Sequence, residues 1–248
     1  MRVAIAQPTY LPWLGYFDLI DQVDAFVVLD HVQFEKQSWQ QRNRIKTPHG
    51  LQWLTVPVVF RGRFGQSIRE VEIRDTEFWR KHLRSTEVNY RRAPFFAEYF
   101  QEFSELLKCP ERSRLLDLNV RLIEWFMSIL SIRTPLLFSS ELNVPGRRTE
   151  LLANMCLGLG ATTYVSPIGS AAYLLAEIDL MERHSIEVRF HNYEHPEYRQ
   201  LFSPFLPYAS ILDLLFNEGE RALDIVLSGR RACLLPEQLS SEVVADPA

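Results

Sequence analysis

Arg2-Val-Ala-Ile-Ala-Gln-Pro8, Thr9-Tyr-Leu-Pro-Trp-Leu-Gly15, Tyr16-Phe-Asp-Leu-Ile-Asp-Gln-Val23 and Ala25-Phe-Val-Val-Leu-Asp30 open the chain, and their order decides the fold. Residues 2–6 are a short apolar run stopped by Gln7-Pro8, which predicts a buried strand. Pro8, Pro12 and Gly15 make the next stretch a loop. From Tyr16, apolar residues at Phe17, Leu19, Ile20 and Val23 keep near-helical spacing, and Ala25–Leu29 is again β-rich. Strand, loop, helix, strand is a βαβ unit, so the two strands are expected to lie parallel.

Working outward, His31–Lys46 is polar and aromatic with no sustained period, which predicts a long loop or irregular hairpin. Trp53–Phe60 predicts a third strand, and Ile68–Ile73 alternates in the β manner. Helices are expected over Thr76–Val88, capped by Asp75 or Thr76, and over Ala93–Leu107 and Arg112–Leu130. Leu136–Phe138, Thr162–Ser166 and Ile186–Phe190 read as strands. Arg148–Leu159, stopped by Gly160, and Tyr173–His184, Ile211–Phe216 and Arg221–Leu227 read as helices. The expected fold is α/β with a mostly parallel, open, Rossmann-like sheet. One domain is expected over residues 1–234, with a helical cap or insertion at 76–130 and a loosely held tail at 235–248.

Composition sets bounds on function. With 248 residues, 47% of them hydrophobic, the chain can build a core without disulfide or metal staples. Net charge −4 argues against non-specific nucleic-acid binding. The cations are nonetheless clustered at Arg42/Arg44/Lys46, Arg61/Arg63, Arg91/Arg92 and Arg147/Arg148, either as solvated arginines or as a local anion site. Cys109, Cys156 and Cys233 are odd in number and widely spaced, giving no disulfide or zinc pattern. The start lacks a signal-peptide core, and no run approaches the roughly 20 apolar residues of a membrane helix. A cytoplasmic protein with no membrane span is the expectation.

Open α/β sheets place ligands at the carboxyl ends of their strands, where two stretches of this chain emerge. The first is Gln7–Phe17, whose Gln7, Tyr10, Gly15 and Tyr16 are candidate ligand contacts; Gly15 permits close backbone approach at a helix start. It is neither GxGxxG nor a P-loop, and its aromatic residues read equally well as core. The second is Asp30–Lys46. Asp30 at a strand end can bind a hydroxyl or orient a lysine; Lys36, Arg42 and Lys46 supply cations, Gln33 and Asn43 amides, and Trp39 a stacking face. That mixture suits a polar, anionic, ring-bearing ligand. Ser166–Ser170 is either a second ligand loop or an ordinary turn. Asp213 and Asn217 lie i, i+4 on one helix, and Asp213 reads either as a buried or pocket-facing carboxylate or as a helix-cap and surface residue. Thr149 reads as an N-cap and Cys156 as core. No histidine pair has metal-ligand spacing, so no metal is expected.

The Gln7–Phe17 run resembles the WbqC-like protein family, as do Asp30…Gln33…Lys36…Trp39…Arg42-Asn43, Tyr90…Ala93-Pro-Phe95 and Ser210-Ile-Leu-Asp-Leu-Leu-Phe-Asn217. The resemblance runs from Met1 to about Gly219. Two stretches depart from the family's usual pattern, Trp39-Gln-Gln41 and Tyr164-Val-Ser-Pro-Ile-Gly169. What the resemblance implies is a setting: surface-glycan and O-antigen gene clusters, beside enzymes that make nucleotide-linked amino sugars. A transferase placing an acyl or aminoacyl group on a sugar amine fits that setting. Its base would be His31 or Asp30, with Lys36, Arg42 and Asn43 holding a diphosphate or oxyanion. Its partners would be an anionic nucleotide sugar and an acyl donor or carrier protein, with no bound cofactor. A non-catalytic nucleotide-sugar or glycan-binding protein and a nucleotidyltransferase-like enzyme are the alternatives; the second lacks the HxGH motif at its first helix.

Overall fold

The computed structural model describes residues 1–108 and 113–239. In chain order its strands are β1 (Arg2–Ala6), β2 (Ala25–Val28), β3 (Arg42–Thr47), β4 (Gly50–Thr55), β5 (Leu136–Phe138), β6 (Thr163–Ser166) and β7 (Glu187–Phe190). Five of them form an all-parallel sheet in the order β5-β2-β1-β6-β7. The opening βαβ unit pairs as its sequence predicts, with Val3 beside Ala25 and Ala6 beside Val28. All four residues of β2 are buried, as a strand covered on both faces requires.

Alternation along the strands sends side chains into two apolar layers. Ala4, Phe26 and Val28 face one layer, Val3, Ile5 and Val27 the other. The first layer is covered by α1 (Leu14–Asp21), α2 (Phe78–Tyr90), α3 (Phe96–Leu107), α4 (Leu115–Ile129), α9 (Ile211–Glu218) and α10 (Ala222–Ser228). The second is covered by α6 (Arg148–Gly158), α7 (Ala171–Ala176) and α8 (Ile178–Glu182); a single turn, α5 (Ser139–Leu142), follows β5. Residues 78–129 bury Tyr90, Phe103, Leu122 and Phe126 in the same cluster as Phe26 and Val28.

Several boundaries depart from the sequence reading. The hairpin strands β3 and β4 pair only with each other, turning at Thr47–Gly50, where Thr47 Oγ1 donates to the Gly50 carbonyl at 2.9 Å and Gly50 adopts φ 109°. The expected third strand therefore begins earlier and stops at Thr55, before Pro57, which has no N–H for a ladder. Ile68–Glu70 is one 3-10 turn, and its neighbourhood holds only single bridges among the described residues. Neither Asp75 nor Thr76 caps α2; Asp75 accepts the Glu77 N–H one step outside it. The expected helix over Tyr173–His184 breaks at Glu177 into α7 and α8. Residues 235–239 lie against the sheet: Leu234 bridges Phe190 and Leu239 packs on the second layer. Arg112, Cys109 and residues 240–248 lie outside the described residues.

One buried contact ties the first layer to pH. Tyr10 Oη and His82 Nδ1 lie 2.8 Å apart, and burial pushes the His82 imidazolium from its ordinary 6.5 down to about 4. The unfolded chain thus binds a proton that the folded one refuses between these values, so stability falls as pH drops from 6.5 toward 4. The loss from this one group is about 3 kcal/mol. Urea titrations at pH 7 and pH 4.5 should show a smaller acid penalty for His82→Phe than for the parent; equal penalties would contradict the assignment.

Candidate functional site

The chain runs from β1 to β2 to β5 on one side, then crosses back to β6 and β7 on the other. The crevice outside the carboxyl ends of β1 and β6 is where such sheets hold ligands. Gln7, Asp30-His31, Ser139-Ser140 and His191 follow β1, β2, β5 and β7 at this edge, and Ser166 ends β6.

Asp30 and His31 are organised by the two serines that open α5. Asp30 is buried, and its carboxylate accepts from Ser139 Oγ (2.8 Å), the Ser140 N–H (2.9 Å) and Ser140 Oγ (2.7 Å). Ser139 Oγ in turn accepts the Asp30 N–H at 3.0 Å and lies 2.6 Å from His31 Nδ1. A hydroxyl has one proton, and the carboxylate can only accept, so that proton belongs to Asp30. His31 must therefore donate from Nδ1. When its ring is neutral, Nε2 carries a free lone pair. Among the described residues Nε2 has no protein partner, and it is open to solvent on a half-buried side chain. Asp30 thus sets the serine, the serine sets the tautomer, and Nε2 is left without a protein partner among the described residues.

The neighbouring edge is polar and tightly bonded. Gln7 Oε1 accepts from Gln40 Nε2 at 2.8 Å, tying the loop after β1 to the one before β3. Ser166 Oγ and Ser170 Oγ lie 2.5 Å apart, and Ser170 Oγ donates to the Pro167 carbonyl. His191 Nε2 is 2.8 Å from the buried Asp18 carboxylate, which also accepts from Arg230 Nε, so that histidine anchors α1.

Other residues read as ligand contacts are occupied elsewhere. Tyr10 is wholly buried on His82, and Tyr16, also buried, donates to the Gln7 carbonyl at 3.3 Å; burial raises its pKa. Asn43 spends both amide ends on the backbone, donating to the Leu11 carbonyl (2.6 Å) and accepting the Arg44 N–H (2.7 Å). Lys46 is buried with Nζ 2.5 Å from the Pro204 carbonyl. Asp213 is a buried hub that accepts from Tyr90 Oη and Tyr198 Oη (2.7 Å each) and from Gln200 Nε2 (2.9 Å), and Asn217 donates to its carbonyl. These residues hold the fold together. Gln33 and Lys36 are exposed; Gln33 bridges Ser67, and Lys36 Nζ sits 5.4 Å from the Phe60 ring centre. Arg42 lies on the hairpin and Trp39 in the loop before it, in a cluster with Trp53 and Arg44.

Gly15 serves packing rather than ligand approach. A Cβ there would lie 2.3–2.8 Å from the Trp13 indole, which folds over it against Tyr193, His195 and Tyr208. Gly15→Ala should cost about 1–3 kcal/mol despite alanine's better helix propensity, because the packed indole must shift. Unchanged urea stability and unchanged tryptophan emission would contradict this.

Sequence reasoning does not single out Ser139, Ser140 or Trp53 as site residues, and it reads Arg44 only as one of a cation cluster. The serine pair follows a strand at Phe138, which was the available signal. Thr149 is buried inside the first turn of α6, whose N-cap is Arg147. Burial raises the Cys156 thiol to about 12, so it is no nucleophile. Among the described residues no group of three His, Cys, Asp or Glu could hold a metal, and no helix is long and apolar enough to cross a membrane.

Fold and edge site together define an α/β protein with a five-stranded parallel sheet and a polar histidine site at its strand ends. The chain belongs to the WbqC-like protein family, whose sequence model matches residues 7–225. It is 43% identical over 224 residues to the "Uncharacterized protein Rv1507c" of Mycobacterium tuberculosis, covering 90% of this chain and 96% of that one. No solved structure matches at a significant level.

Proposed function

We propose that this protein is a transferase that places an acyl or aminoacyl group on the amine of a nucleotide-linked sugar in surface-glycan synthesis, with His31 as its general base. The observation that carries this is the Asp30–Ser139–His31 chain, which holds a lone pair on Nε2 at the sheet's ligand edge. The amine nitrogen attacks the carbonyl carbon of an activated donor such as a thioester. A C–N bond forms and the C–S bond breaks. The proton lost by nitrogen passes to His31 Nε2 and from there to the departing thiolate, which leaves as the thiol. Asp30 and Ser139 are positioning residues that keep Nδ1 protonated throughout. A base of this kind contributes about 10²- to 10⁴-fold.

Family membership supports the glycan setting, and the serine-fixed tautomer supports a base rather than a bystander histidine. The test is mass spectrometry of nucleotide-linked amino sugars incubated with the protein and acyl or aminoacyl thioesters. A product heavier by one acyl group is expected. Sugars bound but unchanged across the donor set would instead mark a binding protein.

A further inference from the structure

The outer face of the hairpin carries four side chains that the His31 site does not use. Antiparallel register sets Arg44 directly opposite Trp53 and Arg42 opposite Thr55, and alternation puts Arg42, Arg44 and Trp53 on one face. Trp39, from the loop before β3, joins them: the two indoles lie 5.3 Å apart at 39°. The Arg42 guanidinium sits 4.3 Å from the Trp53 ring centre, and Arg44 lies between both rings at 5.3 and 5.4 Å.

Cross-strand stacking alone would account for a Trp–Arg pair. Three further observations go beyond it. Trp39 and Trp53 keep 40% and 41% of their surface exposed, in a chain whose other three tryptophans are more covered. Some surface arginines elsewhere are paired with carboxylates, as in Arg63–Glu72, Arg189–Glu187 and Arg231–Glu194. Among the described residues Arg42 and Arg44 form no ion pair, and Arg44 Nε has no partner. From Lys36 to Arg69 the chain has seven lysines and arginines and not one Asp or Glu, although its net charge is −4. The hairpin thus combines a run of positive charge with two part-exposed indoles.

We propose that this face binds a nucleoside diphosphate, with the base stacked on Trp39 and Trp53 and the phosphates held by Arg42 and Arg44. Indoles accept any base by stacking, and a guanidinium already fixed on an indole presents its fork to phosphate oxygens with little ordering left to do. The face hangs on the same loop as the sheet edge. The N–H of Tyr10 donates to the Trp39 carbonyl at 2.9 Å, and Gln40 holds Gln7. The choice of a diphosphate rests on the proposed function; binding itself is read without turnover.

The experiment is calorimetry of the full chain with UDP, ADP and GDP separately, and with the free nucleosides and pyrophosphate as controls. At least one diphosphate should bind about tenfold or more tightly than its nucleoside or pyrophosphate. Trp53→Ala and Arg44→Gln should each weaken that binding about tenfold, whereas Trp53→Phe keeps most of it and His31→Ala leaves it unchanged. Circular dichroism checks that the variants stay folded. No binding of any diphosphate, or binding indifferent to Trp39→Ala, Trp53→Ala and Arg44→Gln, would overturn the proposal. Acyl transfer that persists in the face variants with normal KM overturns this inference and leaves the transferase standing. Binding on this face without transfer does the reverse.

Discussion

Asp213→Ala is expected to cost about 3–5 kcal/mol of folding stability, a larger loss than Gly15→Ala should bring. The carboxylate is fully buried, and burial pushes its pKa up against three donors and the nearby Lys46 ammonium, which pull it down. Tyr90 Oη donates to it while accepting the Lys46 N–H at 2.8 Å, so β3, α2 and α9 meet at one acceptor. Alanine leaves two phenols and an amide without their acceptor and Lys46 without its counter-charge. Asp213→Asn keeps the shape and one acceptor, so it should lose less. Urea unfolding of the three proteins checks this order; a loss under about 1 kcal/mol for alanine would show the hub to be dispensable.

His31→Ala is expected to lower kcat by about 10²- to 10⁴-fold with KM little changed, because it removes a proton acceptor and leaves the loop anchored. The anchoring belongs to Asp30, whose carbonyl accepts the Arg69 N–H and whose carboxylate holds α5. Ser139→Ala removes the tautomer constraint but not the ring. Its kcat should fall less, by about tenfold, and the pH dependence of kcat should change. A His31→Ala enzyme as fast as the parent would remove His31 from the reaction.

The parallel sheet was legible chiefly because β1 and β2 are apolar runs closed by Gln7-Pro8 and Asp30, as burial on both faces demands, with a helix between them. Asp30 and His31 were legible as site residues for a related reason: polar groups directly after a buried strand lie at its carboxyl edge. Burial of Tyr10 and of Asp213 was among the readings left open, but the roles of Asn43 and Lys46 were not legible. A polar residue that serves a buried network and one that serves a ligand carry the same letters, and only the partners separate them. Lys46 and Asp213 are 167 positions apart, and no local pattern announces that each is buried beside the other. Ser139 was hidden likewise, 108 residues from the histidine whose tautomer it fixes. Trp53 reads as part of a third strand, but periodicity does not show which partner a strand will choose.

In the proposed mechanism the relay from Asp30 through Ser139 to His31 makes a base of that histidine, and nitrogen-15 chemical shifts of the His31 ring read its tautomer directly. At a pH where the ring is neutral, the structure requires Nδ1 protonated and Nε2 bare, with Ser139→Ala shifting the ring toward a mixture of tautomers. A ring protonated on Nε2 in the parent protein would contradict the hydrogen-bond assignment and, with it, the base.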